Sequence, residues 1–177
     1  MRKQAMRSAW SVAAVAVTLA AAGQADAATA TNTFTVSATV LKACTVNATN
    51  INFGNYTPGG GALTGNSTIS VKCSKSTPYT VALNAGSTAG GSYAQRLMAY
   101  GAETLQYNLY TAATFATVFG DGTAGSATGA GTGTGLGAAA QTYTAYGRLV
   151  DSVANQNAAP NAAASTYTDT VTVTVTY

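Results

Sequence analysis

Histidine is absent from the 177 residues, and with it the commonest general base and an imidazole metal ligand. Charge is scarce: eight Lys and Arg against five Asp and Glu, 7% of the chain and a net of +3. That gives no basic footprint for nucleic acid. Two cysteines cannot build a four-cysteine zinc site. The longest apolar run, Ala9 to Ala22, falls short of the roughly 20 residues that span a bilayer as a helix. Disorder is also unsuited to this composition, because it needs low hydrophobicity and high net charge, whereas 47% of the chain is hydrophobic. The length fits one domain with its own core.

What is present begins with an address. Arg2, Lys3 and Arg7 precede the apolar run, and Ala25-Asp26-Ala27 follows it as a small-residue A-x-A cleavage signal. This pattern predicts a secretory signal peptide over residues 1–27. Its removal leaves five basic and four acidic side chains, a net charge of +1. In an oxidising compartment an even cysteine count favours a disulfide, here Cys44 to Cys73. The chain-entropy account assigns a loop of this length about 3.6 kcal/mol.

The mature chain reads as strands. Thr occurs 30 times, mostly alternating with apolar residues. At the C-terminus Tyr167, Asp169, Val171, Val173, Val175 and Tyr177 alternate with five threonines. Near the mature N-terminus Phe34, Val36, Ala38 and Val40 alternate with Thr33, Thr35, Ser37 and Thr39. A period of two puts each set on one face of a half-buried strand. Further strands are predicted near 45–53, 66–73, 78–84, 104–111, 114–119 and 142–150, separated by turn signals such as Pro58-Gly59-Gly60-Gly61 and Asp121-Gly122. Seven or eight short strands suggest an all-β sandwich or a small barrel. Residues 119–140 hold eight of the 19 glycines, a composition suited to a flexible or irregular surface loop.

Chemistry is hard to find in this pattern. Gly120-Asp121-Gly122-Thr123-Ala124-Gly125 matches G-x-G-x-x-G in form, but more glycine follows it where a dinucleotide site needs a helix. Glu103, Asp121, Asp151 and Asp169, the four acids of the mature chain, show no pairing of the glycosidase kind. Ser and Thr have no histidine to activate them. Three N-x-[ST] sequons, at Asn47, Asn55 and Asn66, are expected by chance in so Thr-rich a chain. No catalytic, cofactor-binding or metal-ligating residue is assigned, and no cofactor is expected.

Two non-enzymatic readings remain. An eight-stranded outer-membrane barrel is one, although such barrels need strands of about 9–11 residues and aromatic girdles. The other is a soluble sandwich whose N-terminal strand completes either its own sheet or that of a neighbour, the second being β-augmentation.

The mature chain resembles the major subunits of Csu-type, or archaic, chaperone–usher pili, which share the spore coat U domain family. The resemblance is carried in order by Cys44-Thr45-Val46, Ile51-Asn52-Phe53-Gly54, Ile69-Ser70-Val71-Lys72-Cys73, Tyr79-Thr80-Val81-Ala82-Leu83, Gln106-Tyr107-Asn108-Leu109-Tyr110, Tyr146-Gly147-Arg148-Leu149 and the run Tyr167–Tyr177. It implies an incomplete immunoglobulin-like β-sandwich, residues 42–177, completed by donor-strand exchange. A periplasmic chaperone would lend the missing strand, and an outer-membrane usher would exchange it for residues 28–41 of the next subunit in a surface pilus. The implied donor residues are Phe34, Val36, Ala38 and Val40; the implied acceptor groove includes Val171, Val173 and Val175. The same fold would also allow a secreted coat or binding protein that does not polymerise.

Overall fold

A computed structural model describes residues 27–160 and 166–177; almost all of the expected leader lies outside the described residues. Eight strands and one helical turn follow in order: β1 (Cys44–Ala48), β2 (Leu63–Cys73), β3 (Pro78–Leu83), β4 (Arg96–Tyr100), β5 (Glu103–Tyr110), β6 (Gly129–Thr132), β7 (Gln141–Leu149), α1 (Val153–Gln156) and β8 (Val173–Thr176). They make an all-β, immunoglobulin-like sandwich. One sheet has the order β1-β2-β7-β5-β4 and the other β6-β3-β8, with every pairing antiparallel. Alternation places Ile69, Val71, Val81, Leu83, Leu105, Leu109 and Leu149 in the core, each almost inaccessible to solvent. Both sheets end in edge strands, so among the described residues they do not close into the barrel weighed above.

Cys44 and Cys73 face each other in the β1–β2 register, their Cα atoms 4.1 Å apart, and form the expected disulfide. The structure differs from the sequence pattern in four places. The strand near 45–53 stops at Ala48, and β4 had no clear alternation to announce it. Residues 114–119 are not a strand. They form a turn held by the isolated bridges Tyr110–Val118 and Phe119–Ala127, with Phe115 at positive φ.

The fourth difference is the glycine-rich stretch, which is a packed strap rather than a flexible loop. Its strand β6 pairs with β3. A Cβ on Gly131 would stand 2.6 Å from the hydroxyl oxygens of both Tyr79 and Tyr143, and one on Gly133 would stand 2.2 Å from the carbonyl oxygen of Ser74. Close approach explains these glycines. Tyr143 fixes the strap in return, donating to the Ala130 carbonyl at 2.8 Å, while Tyr79 donates to Gln141 Oε1 at the start of β7 at 2.7 Å. The formal dinucleotide motif is a turn closed by Asp121, whose carboxylate accepts from the Thr123 N–H and hydroxyl.

Candidate functional site: an open cleft between the two sheets

The alternating run at the C-terminus does not stay in a sheet along its length. Only Val173–Thr176 forms β8; before it, Thr168 makes one isolated bridge to Ala99. β3 flanks β8 on one side, and no described strand lies on the other. β1 is likewise the outer strand of its sheet. After Ala48 the chain keeps contact with β2 through Thr49, whose N–H donates to the Thr68 carbonyl at 3.1 Å, and then leaves the sheet.

Between the stretch after β1 and the stretch leading into β8 lies a cleft of about 1280 Å³, above the roughly 300–1,000 Å³ of a small-molecule pocket. Ala48 to Tyr56 form one rim and Thr166 to Val173 the other. Its floor is the core itself: Ile69, Leu83, Leu109 and Leu149 line it. Phe53 packs edge-on against Tyr107 at 6.1 Å. An edge strand beside an open cleft is a template for another strand, since unpaired N–H and C=O groups run along it.

Asp169 organises the β8 rim. Its carboxylate accepts from the Ser87 and Thr88 N–H groups at 2.8 and 3.0 Å, from both hydroxyls at 3.1 Å, and from the Tyr107 hydroxyl at 2.6 Å. Gly86, at φ +95°, gives it room, since a Cβ there would stand 2.0 Å from the carboxylate. Burial works to raise the pKa of Asp169, but the donated hydrogen bonds outweigh it and hold the group below the usual carboxylate range. Burial, then the bond to Asp169, pushes the Tyr107 phenol well above its ordinary value. At the other rim Asp151 accepts from Tyr56, from the Gly59 N–H at 3.1 Å and from the Gly61 N–H at 2.9 Å. The hydrogen bond from Tyr56 leads in holding Asp151 low. Burial, followed by that bond, pushes Tyr56 up to about 12.

Two buried polar side chains brace the floor. Arg96, fully buried, donates to the carbonyls of Asn84 and Phe119 and to Asn108 Oδ1. Asn155, on α1, accepts from the Gln106 N–H at 2.6 Å and donates to the Gln106 carbonyl at 2.8 Å, replacing a ladder rung where β7 has ended. Neither was visible in the sequence, where Arg96 and Asn155 look like ordinary surface residues. Asp169 had left a signal, as the one acid in an otherwise apolar row of the final run.

Of the residues singled out by resemblance, Val171 and Val173 line the cleft. Val175 packs half-buried against the core further along β8. Phe34, Val36 and Val40 are 87%, 83% and 89% exposed; Ala38 is exposed too, and residues 27–43 hold no strand.

Among solved structures, a chain of the CsuC–CsuE chaperone–tip adhesion subunit pre-assembly complex from the archaic chaperone–usher Csu pili of Acinetobacter baumannii is similar at 28% identity and a TM-score of 0.49. The match covers 78% of this chain and 40% of that one, so this chain spans less than half of its length. No relative was found among curated proteins. The family model of the Spore Coat Protein U domain matches residues 30–174, and the chain belongs to that family.

Proposed function

We propose that this protein is a structural subunit of a chaperone–usher type surface pilus, serving adhesion or biofilm formation, and that it polymerises head-to-tail by donor-strand complementation. The observation that carries this reading is one chain holding both halves of a joint. Residues 28–41 are an alternating segment with its apolar side chains in solvent, and residues 42–177 are a sandwich with an open cleft, floored by apolar side chains, beside an edge strand. Residues 1–27 direct export and are removed. Phe34, Val36, Ala38 and Val40 of one subunit enter the cleft of the next, against Val171, Val173 and Val175. Such a heterologous contact does not close on itself and makes a fibre.

Three large apolar side chains and one alanine bring about 5–9 kcal/mol from burial. Ordering costs subtract from that, so the ladder beside β8 and slow release must hold the fibre. Before assembly the open edge is an aggregation hazard, which a periplasmic chaperone covers until an outer-membrane usher exchanges it for the next subunit. The test is Val36→Asp and Val40→Asp in the exporting cell. Both variants are expected to be captured by the chaperone at normal yield while surface pili disappear; normal pili from both would overturn the donor assignment. A stable subunit that never polymerises would instead mark a coat or binding protein.

A further inference from the structure

The few charges of the mature chain are sorted by end. Lys42, Lys72 and Lys75 each lie within two residues of a disulfide cysteine, at the end of the sandwich where β1 starts and β2 finishes. The acids gather at the other end. Glu103 opens β5 at the β4–β5 turn, four residues beyond the Tyr107–Leu149 rung, and Asp151 follows the end of β7 by two residues. Asp169 is bonded to the Ser87–Thr88 turn after β3, and Asp121 lies beside Leu83 at the finish of β3. Along β2 the two ends are separated by ten residue steps, about 33 Å at strand rise. That exceeds the screening length of about 10 Å at 0.1 M salt, so the two sets do not neutralise each other within one copy. The arginines do not reverse the pattern: Arg96 is bonded inside the core, and the Arg148 guanidinium lies over the Phe115 ring at 5.3 Å.

We propose that the lysine end of one copy docks on the acidic end of the next, as a second, salt-sensitive contact between consecutive subunits. This rests on the donor-strand reading, because that reading tethers the two surfaces. Lys42 directly follows the donor segment, so a donor seated in a neighbour's cleft delivers the lysines to the mouth of that cleft. Three of the four acids border it. Asp169 lines the cleft, as do Tyr56 and Pro58 in the loop bonded to Asp151. The turn carrying Glu103 reaches the rim through Tyr100, whose ring packs on Tyr167 at 5.7 Å. A donor seated the other way would bring the lysines against the neighbour's own lysines. Tethering raises the effective concentration of the second contact, and complementary charge sets encounter rate and register more than final affinity.

The test follows filament growth of purified full-length mature chain by light scattering at 20 and 500 mM salt. Lys42→Glu with Lys75→Glu, both exposed positions, is expected to slow growth roughly tenfold at low salt and little at high salt. Adding Glu103→Lys to the same chain is expected to restore the rate. Growth at 20 mM that ignores the reversal, or that Glu103→Lys fails to rescue, overturns the docking and leaves the donor-strand reading standing. Filaments that never grow from the unaltered chain overturn the donor-strand reading instead. Attraction between unassembled copies, measured as the second virial coefficient at 20 mM salt, then decides the docking: it must weaken on lysine reversal and return with Glu103→Lys.

Discussion

Two segments of this chain carry nearly the same pattern and have opposite fates. Residues 33–40 and 167–177 both alternate Thr or Ser with mostly apolar side chains. The first has Phe34, Val36 and Val40 more than four-fifths exposed. The second has Val171, Val173 and Val175 half-buried against the core. A period of two says that a segment is fit to be a strand; it does not name the partner. β8 finds its partner in β3, whereas residues 27–43 hold no strand. Asp169 marks a second difference. The C-terminal run is anchored by one side chain with five bonds to the body, and nothing comparable sits between Thr33 and Val40.

The sharpest way to break this comparison is to place the same charge in each segment. Val36→Asp is expected to leave subunit melting unchanged and to abolish polymer. Val173→Asp, set against the core, is expected to cost the subunit itself about 2–4 kcal/mol in denaturant unfolding. Equal effects on melting would erase the distinction between donor and body. Cys73→Ser, which unties β1 from β2, should cost about 2–5 kcal/mol, read as a lower denaturation midpoint; an unchanged midpoint would contradict it. Asp169→Asn keeps the shape but weakens the bonds from Ser87, Thr88 and Tyr107. It should cost about 1–3 kcal/mol and raise hydrogen exchange at 166–172 before the rest of the sandwich.

The smallest effect is that of pH. Asp169 and Asp151 are both held below the ordinary carboxylate range in the fold. A depressed carboxylate contributes stability that is present above its unfolded value, near 4, and is lost as pH falls through the folded value. The melting temperature of the subunit should therefore hold between pH 7 and 5 and decline below about pH 4, less steeply in Asp169→Asn.

Much of the sandwich was legible because alternation and a cysteine pair are local signals. β2, β3, β5 and β7 lie within a few residues of the stretches that the pattern indicates, and Cys44 meets Cys73 in register. The strap at 119–140 was not legible, because Gly129 and Gly131 answer to Tyr79 and Tyr143 and Gly133 to Ser74, all outside the strap. β4 was missed for a related reason: it opens on the charged Arg96, which is fully buried, on partners as far away as Phe119. The cleft is a property of what the two sheets leave uncovered, and no residue announces it. Only the mismatch between two alternating segments and one paired place hinted at it.

The most direct measurement compares three versions of the chain by size-exclusion light scattering and thermal melting: residues 42–177, residues 28–177, and 42–177 carrying 28–41 after a flexible linker at its C-terminus. The account predicts that the relocated segment gives a soluble monomer with a high, sharp melt, that 28–177 forms oligomers, and that 42–177 melts low or aggregates. A stable monomer from 28–177, melting as high as the relocated version, would contradict it and return the first strand to its own sheet.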